Sequence, residues 1–332
     1  MPSRGMKGQG RWHCICLTHT PQFGSVKANH KQLSDLWADV QIPVDGQCGC
    51  LLALVSFKQQ YPHLKIILSI GGGGPGSQNM SIVAASRTAR QNFAVSALDL
   101  VTNYGLDGID IDWEHPSTPQ EGLNYVQLLR TARQHMPSPA FFISSALPAG
   151  TWALRNIDLS QAQKYLDRVN LMCYDFSGPW TNQCGHHSQL FPPAPPYEPD
   201  AALCGHSAME YVMSEGIPAE KLLMGIPVFG RSFIGARSLG DSYIGHGGND
   251  GVYDYKDLPL PGTAEAFDAT AGAAMCIGDD SGFVTYDNPE SVRLKATYVR
   301  QRAMGGLFYW TATADGVGSR SLIEAGFSGL HQ

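Results

Sequence analysis

The sequence predicts an α/β fold of the (β/α)8 TIM-barrel type, with a poorly defined first strand and a small α+β insertion before the last strand. Short apolar runs alternate with helical stretches from about residue 60 onward, which is typical of a parallel sheet. At least six such units occur, and their strands are apolar enough for burial on both faces, which favours a closed barrel. No Gly-x-Gly-x-x-Gly follows the first strand, which argues against a dinucleotide-binding sheet.

The composition indicates a globular protein with an uncharged ligand. The 332 residues are 43% hydrophobic, enough for a large core, and carry a formal net charge of -6. No run of lysine and arginine occurs, which argues against nucleic acid and anionic membranes as partners. No apolar run reaches the roughly 18 to 20 residues of a membrane helix. We expect a monomer that uses no cofactor and no metal ion.

The N-terminal region shows no export signal. Residues 1–11 are basic and polar, and the apolar run over 12–17 is too short for a secretory signal. The expectation is an intracellular protein, or a secreted one should the natural N-terminus differ. The eight cysteines lack the dense framework of a small secreted domain, and the first four form two pairs that are spaced more closely than zinc-binding pairs, so we expect mostly free thiols.

The elements follow one another along the chain with recognisable boundaries. In the first half, the pattern predicts a strand over 12–17, a helix over 50–61, a strand over 64–70, a helix over 87–103, an acidic strand over 107–114 and a strand over 141–146. Gly105 fits a left-handed helix end, and Thr118 to Glu121 form a capping box with a proline at the first helical position.

The second half repeats this alternation around one interruption. It predicts helices over 159–165, 207–214, 289–304 and from 321, and strands over 169–174, 222–229 and 306–311. Residues 234–284 are rich in Gly, Asp and Tyr and lack helical periodicity. They are predicted to form the insertion, which leaves 1–233 and 285–332 for the barrel.

The candidate active site centres on residues 107–114, which place four carboxylates within eight positions. In an extended strand, Asp110, Asp112 and Glu114 share one face, and the apolar residues between them share the other. Clustered carboxylates repel one another unless they share protons or hydrogen bonds, and shared protons are what general acid catalysis requires. A solvated acidic turn and a Mg²⁺ or Ca²⁺ site are the alternatives.

This stretch resembles, at every position, the Asp-x-x-Asp-x-Asp-x-Glu signature of glycoside hydrolase family 18, the chitinases, in its fungal type. The resemblance implies a TIM-type barrel that hydrolyses β-1,4 bonds between N-acetylglucosamine units of chitin or chitooligosaccharides. It also implies substrate-assisted, retaining catalysis, in which the acetamido oxygen of the substrate attacks the anomeric carbon. Glu114 would be the general acid and base, and Asp112 would orient the acetamido group and share a proton with Glu114 or Asp110. Asp107, grouped with the substrate-binding residues, would play a supporting structural part.

Two further segments agree with the resemblance. Residues 68–72 resemble the glycine-containing motif of strand three in this family, and residues 171–175 resemble its Met-x-Tyr-Asp motif at the end of strand six. In the second motif, Tyr174 would steady the oxazolinium-like intermediate, and Met172 and Asp175 would contact the substrate. A tyrosine and a methionine that only fill the core are the alternative, which leaves the Tyr-Asp pair at a strand end unexplained.

Three more residues are assigned to substrate binding through the same resemblance. Arg231 resembles the arginine of a Tyr-Gly-Arg motif at the end of strand seven, here with Phe229 in place of the tyrosine. Trp180 stands where relatives place an aromatic residue in the leaving-group subsites. Trp310 resembles the tryptophan that floors the cleavage subsite, since an indole matches the flat C–H face of a sugar.

The chain also departs from the family pattern. Gly73 and Gly74 stand where many relatives carry an aromatic residue for a distal sugar, and the aromatic first and second strands of the family are not recognisable before Asp35. Two other functions stay open: an endo-β-N-acetylglucosaminidase and a non-catalytic, chitin-binding lectin. Lectin relatives usually lose the last acid of the signature, which this chain keeps as Glu114.

Overall fold

A computed structural model describes the backbone of residues 14–19 and all of residues 35–193 and 203–332. The chain divides into two compact units, the first formed by Met1–Pro116 with Gln120–Ser145 and the second by Ser117–Pro119 with Ala146–Gln332. The loop expected between the first strand and Asp35, and the two cysteine side chains before it, lie outside the described residues. No helix in the described ranges is long and apolar enough to span a bilayer.

The first unit is built on parallel strands. Its elements are β1 (Cys14–His19), α1 (Leu36–Val40), β2 (Pro43–Val44), β3 (Gln47–Cys48), α2 (Cys50–Gln60), β4 (Lys65–Gly71), α3 (Met80–Ala85), α4 (Arg87–Tyr104), β5 (Gly108–Asp112), α5 (Pro119–His135) and the start of β6 (Phe142–Pro148). β1 pairs with β4, β4 with β5, and β5 with β6, all in parallel. The strand expected over 12–17 is therefore confirmed in the part that is described.

Local chemistry sets the ends of the long helices in this unit. The Ser86 hydroxyl accepts a hydrogen bond from the Ala89 N–H at 3.3 Å and caps α4, which ends at Gly105 with a φ of 68°. Pro119 begins α5, where its missing N–H costs nothing. In β5 the apolar Ile109 and Ile111 alternate with the acidic Asp110 and Asp112, and all four residues are buried.

The second unit combines parallel strands with an antiparallel sheet. Its elements are α6 (Thr151–Leu154), α7 (Leu159–Ala162), β7 (Arg168–Met172), α8 (Gly205–Ser214), β8 (Leu222–Pro227), β9 (Phe229–Phe233), β10 (Val252–Asp254), β11 (Ala264–Asp268), β12 (Ala273–Gly278), β13 (Gly282–Tyr286), α9 (Pro289–Gln301), β14 (Gly306–Trp310) and α10 (Leu322–His331). β8 pairs in parallel with β7 and β14, and β9 to β13 form the antiparallel sheet in the order β10-β9-β13-β12-β11. The described ranges thus contain seven of the eight parallel strands of a complete barrel.

The strand expected over 222–229 is two strands. β8 ends at Pro227, which has no N–H to continue a ladder, and β9 begins the antiparallel sheet at Phe229. The antiparallel sheet therefore runs from Phe229 to Tyr286, beyond both predicted bounds of the insertion. Within these residues the helical content is one 3-10 turn, Tyr255–Asp257, where an α+β insertion would hold an α-helix.

An apolar cluster joins the antiparallel sheet of the second unit to its last helices. It contains Ile226 of β8, Val228 just after that strand, side chains of β12 and β13, and Leu322 of α10, all fully buried. Asn288 caps α9 through a reciprocal pair with Ser291, so the chain turns directly from β13 into that helix. Six cysteines in the described ranges are free thiols, as expected.

Candidate active site

The acidic residues of the first unit become more accessible along β5. Asp110 is 1% exposed and Asp112 7% exposed, whereas the Glu114 side chain, just past the end of the strand, is 27% exposed. Ile109, Ile111 and Trp113 on the other face are buried, as the strand period predicts. Glu114 is thus the carboxylate of this series that a ligand reaches most easily.

Asp110 is held by one serine from each neighbouring strand. Parallel register places Ser69 of β4 and Ser144 of β6 beside it. The Ser69 hydroxyl donates to Asp110 Oδ2 at 3.0 Å, and the Ser144 hydroxyl donates to Oδ1 at 2.6 Å. Because both carboxylate oxygens accept hydrogen bonds, Asp110 is fixed in orientation although it is almost fully buried.

The glycine run after β4 brings the chain back against β5. Gly71 has a φ of 121°, and a Cβ on it would collide with the carbonyl oxygen of Asp112, so only glycine fits there. The chain then turns, and the Ser77 hydroxyl donates to the carbonyl oxygens of Gly72 at 2.8 Å and Asp112 at 3.2 Å. The same hydroxyl accepts from the Glu114 N–H at 2.9 Å. Ser77 therefore fixes the backbone that carries the last two acids.

Asp112 is held in its neutral form at neutral pH. Burial first, and then the charges of Asp110 and Glu114, raise its pKa to about 8. Its Oδ1 is buried and has no hydrogen-bond partner among the described residues. A carboxyl group that keeps its proton at pH 7 can donate a hydrogen bond, which an ordinary aspartate cannot do.

The surroundings of Glu114 leave room beside its carboxylate, and the neighbouring histidine is uncharged. A Cβ on Gly73 would lie 3.7 Å from both Glu114 oxygens, so the glycine leaves this side of the carboxylate without a side chain. His115 Nε2 lies 3.8 Å from Glu114 Oε2, and burial lowers the His115 pKa to about 4. His115 is therefore neutral at pH 7. No group of three metal-ligating side chains occurs among residues 35–193 and 203–332.

Asp107 lies at the opposite end of β5 from Asp112. Its carboxylate pairs with Lys58 at 2.8 Å and with Lys65 at 3.2 Å, and it accepts the Ile66 N–H at 2.8 Å. These contacts agree with the structural part expected for Asp107. The structure does not bring it together with Asp112 and Glu114, and its grouping with the substrate-binding residues has no support in this placement.

In the second unit, Met172 ends β7 and Tyr174 follows it within an aromatic cluster. The Tyr174 ring meets Phe229 with ring centroids 5.9 Å apart and Phe308 with centroids 6.2 Å apart, both edge to face. A Cβ on Gly225 would lie 2.8 Å from both the Tyr174 and Phe308 rings, so this glycine makes space for the pair. Tyr174 is packed by rings on its sides and is half-buried.

Asp175 and Arg231 form an ion pair beside this cluster. Asp175 has a φ of 61°, and its Oδ1 accepts from Arg231 Nε at 2.8 Å and lies 2.8 Å from Nη2. Burial alone would raise the pKa of Asp175, but contacts with His187 and Arg231 outweigh it and lower that pKa. Arg231 itself lies in the middle of β9, and not at the end of a barrel strand as the sequence suggested, because β8 stops at Pro227.

Both tryptophans assigned to sugar binding are accessible. Trp180 follows β7 and is 58% exposed, with the Arg231 guanidinium 5.0 Å from its ring centroid. Trp310 ends β14 and is 38% exposed. A core position for Trp310, the alternative to a sugar-stacking role, does not agree with this exposure.

Comparison with known proteins places these motifs in a family. The sequence model described as Glycosyl hydrolases family 18 matches residues 14–315 of the chain. The chain belongs to this family. Family membership makes it a glycoside hydrolase. The matched residues include the acidic strand, residues 171–175 and Trp310.

Relatives and solved structures of family 18 agree. Chitinase 1 of Aphanocladium album is 34% identical over 313 residues, which cover 89% of this chain and 72% of that protein. A solved chitinase from Bacillus thuringiensis matches with a TM-score of 0.81 and 26% identity, over 90% of this chain and 57% of that one. A family 18 chitinase from Cycas revoluta, solved in complex with (GlcNAc)3, matches with a TM-score of 0.75 and 27% identity over 84% and 85% of the two chains. These matches confirm the α/β, TIM-barrel fold class.

Several residues that support the family 18 acids were missed in the sequence. Ser69 and Ser144 are ordinary strand residues until the register is known, and Ser77 follows a glycine run whose path is set by its φ angles. Tyr125 of α5 donates to the Ser145 hydroxyl at 2.7 Å, and that hydroxyl donates to the Ile111 carbonyl. A serine opposite an aspartate on adjacent strands is a signal that could be sought, but only after the strands have been aligned.

Proposed function

We propose that this family 18 member is a chitinase that hydrolyses β-1,4 bonds between N-acetylglucosamine units of chitin or chitooligosaccharides. The observation that carries the proposal is the carboxylate series on β5, which ends in the accessible Glu114 beside the neutral, buried Asp112. Such a pair provides one proton donor at the rim and one buried hydrogen-bond donor behind it. The chitinase relatives, and the Cycas revoluta structure with (GlcNAc)3, support the choice of substrate.

The chemistry would use the substrate's own acetamido group as the nucleophile. Its carbonyl oxygen forms a bond to the anomeric carbon as the glycosidic bond breaks, and Glu114 gives its proton to the departing oxygen. Glu114, now a carboxylate, then takes a proton from water, and the hydroxide oxygen replaces the acetamido oxygen at the anomeric carbon. Two displacements at one carbon give net retention, and Glu114 ends in its starting, protonated form.

Asp112 and Asp110 would support this cycle without forming covalent bonds. Asp112 carries a proton at neutral pH, so it can donate a hydrogen bond to the acetamido group or share the proton with Glu114 or Asp110. Ser69 and Ser144 hold Asp110 in place behind it. The roles assigned to Tyr174, Met172, Asp175, Arg231, Trp180 and Trp310 through the family resemblance belong to the same proposal.

Hydrolysis of a fluorogenic chitooligosaccharide by the purified chain tests the proposal directly. Release of fluorophore, with β-anomeric product seen first by NMR, is the expected result. Binding without hydrolysis would instead favour the lectin, and release of glycans from a glycoprotein without action on chitooligosaccharide would favour the endo-β-N-acetylglucosaminidase. Glu114→Gln serves as the matched control for contaminating activity, since it keeps the shape of the side chain and removes its acid.

A further inference from the structure

His187 is a buried polar residue to which the motifs assign no role. Its side chain is 0% exposed, and neither ring nitrogen has a hydrogen-bond partner among the described residues. Leaving such groups unpaired destabilises the folded chain, so an orphaned buried imidazole needs an explanation. Burial also lowers the pKa of His187, although Asp175 opposes this, so the ring is neutral at pH 7 and one of its nitrogens carries a proton.

The nearest acceptor to that ring is the carboxylate of Asp175. His187 Nδ1 lies 3.7 Å from Asp175 Oδ1, slightly beyond hydrogen-bond length. Arg231 lies in β9, and its Nε and Nη2 contact the same oxygen, each at 2.8 Å. The contacts of His187 Nδ1 and of the two Arg231 nitrogens thus all go to Asp175 Oδ1, and none of them goes to Oδ2. Asp175 itself has a left-handed φ of 61°, a conformation that needs support from its surroundings.

The backbone of His187 is anchored on both sides. The Phe176 N–H donates to the His187 carbonyl at 3.0 Å, which ties His187 to the residue after Asp175. Next to it, Ser188 donates its hydroxyl to Asp287 at 3.1 Å, and its carbonyl accepts from Lys295 at 2.5 Å. The imidazole therefore cannot move far, and a small shift of Asp175, which is 35% exposed, would complete the hydrogen bond.

The His187 ring also supports Tyr174, the first residue of the Tyr-Asp motif. Its centroid lies 5.1 Å from that of Phe229, and the Phe229 ring meets Tyr174 edge to face. Arg231 lies over Phe229 at 5.3 Å. One buried side chain therefore contacts Asp175 directly and Tyr174 through a single ring.

We propose that His187 is a positioning residue that, together with Arg231, holds Asp175 Oδ1 so that Oδ2 is presented to the substrate. The proposal rests on the chitinase function, because Asp175 is assigned there to substrate binding. On ligand binding, the Asp175 carboxylate moves toward Nδ1, and the long 3.7 Å contact becomes a hydrogen bond.

Two substitutions at position 187 separate hydrogen bonding from packing. Asparagine places an amide nitrogen at the same δ position as the imidazole Nδ1, and leucine places a methyl group there. With a fluorogenic chitooligosaccharide, His187→Leu should raise KM about tenfold, the effect of one hydrogen bond to a charged group, with kcat changed less than about twofold. His187→Asn should restore KM to within about threefold of the parent.

A matched control lies one residue away. His186 is equally buried, but its ring contacts Thr285 at 3.0 Å and Asp268 at 3.4 Å, and not Asp175. His186→Asn should leave KM unchanged whatever it does to the melting temperature. In an Asp175→Asn background, His187→Leu should change KM less than about twofold, because the residue through which it acts is gone.

A readout that needs no turnover distinguishes this inference from the chitinase function. In an NMR titration of the free protein, His187→Leu should raise the pKa of the Asp175 carboxyl, since the imidazole contact lowers it. If the parent does not hydrolyse chitooligosaccharide, the proposed function fails and this titration still decides the positioning role. An unchanged Asp175 titration in His187→Leu, or equal KM values for the leucine and asparagine variants, would overturn it. Should His187→Leu not fold, His187→Met makes the same comparison.

Discussion

Glu114 is the residue on which the proposed chemistry depends most directly. Glu114→Gln keeps the size and polarity of the side chain but removes its proton donor, so kcat should fall by at least about 100-fold, the lower bound for general acid catalysis. Binding of chitooligosaccharide, measured by calorimetry, should be retained. Turnover close to that of the parent would remove Glu114 from the acid role.

The raised pKa of Asp112 makes the unfolding free energy of the chain depend on pH. Its pKa is about 8 in the folded chain and about 3.9 for an ordinary aspartate in the unfolded chain, so the folded state holds an extra proton between these values. A raised pKa contributes stability that is fully present below the unfolded value and is lost as pH rises through the folded one. Stability from this group is therefore greatest near pH 4 and gone above about pH 8.

Asp112→Asn should remove this dependence, because the amide is neutral at every pH. The unfolding free energy of the variant should match the parent near pH 4 and exceed it by roughly several kcal/mol near pH 8. Urea unfolding at three pH values checks this. Catalysis should weaken and the acidic limb of its pH profile should move. Parallel stability curves for the two proteins, or an unchanged profile, would contradict the proton-holding role.

Trp310 tests whether an accessible aromatic residue binds sugar. Because it is 38% exposed, Trp310→Ala should cost on the order of 1 to 3 kcal/mol of chitooligosaccharide binding and leave the melting temperature nearly unchanged. Calorimetry and thermal unfolding on the same preparation separate the two effects. A variant that binds as tightly as the parent but melts much lower would show that the indole only packs.

At the scale of secondary structure, the close approach of β4 and β5 depends on one glycine. Gly71→Ala combines an unfavourable φ of 121° with a collision against the Asp112 carbonyl, so we expect a loss of at least about 2 kcal/mol of unfolding free energy.

Gly74 provides a matched comparison in the same run. It also has a positive φ, 59°, but a Cβ there meets no atom within 4 Å, so Gly74→Ala should cost only about 1 kcal/mol. Urea unfolding of both variants measures the difference. Equal losses would mean that the backbone conformation, and not the contact with β5, sets the cost.

The elements also show where sequence reasoning succeeds and where it stops. The helix ending at Gly105 and the acidic strand were predictable, because a left-handed cap and a period of two are local properties. The break at Pro227 was not, since residues 222–229 read as one apolar run and only tertiary pairing assigns Phe229 to another sheet. The serine pair around Asp110 depends on register, which a single sequence does not contain.

At the scale of the molecule, the second unit depends on a buried ion pair. Lys295 and Asp287 are 1% and 0% exposed, with Nζ 2.6 Å from Oδ2, and Lys295 also donates to the Ser188 carbonyl. Lys295→Met leaves the carboxylate buried without its cation, so we expect a loss of about 3 to 5 kcal/mol of unfolding free energy.

An exposed pair in the same unit supplies the control. Arg237 and Asp279 lie 2.7 Å apart but are 64% and 88% exposed, so Arg237→Met should change stability by less than about 1 kcal/mol. Adding Asp287→Leu to Lys295→Met should recover part of the loss, because two apolar side chains then replace the pair. No recovery in the double variant would show that the serine contacts of Asp287 matter more than its charge.

The free thiols described above make it possible to follow local unfolding of this protein by chemical labelling. Cys48 is exposed and Cys50 partly so, whereas Cys173, Cys184, Cys204 and Cys276 are buried. Burial also raises the pKa of Cys173 to about 12 and of Cys184 to about 11, so these two are poor nucleophiles while the chain is folded. A thiol-reactive dye should therefore label the exposed Cys48 at once. It should label the four buried cysteines only as fast as the second unit opens, so their labelling rate measures that opening without an engineered probe.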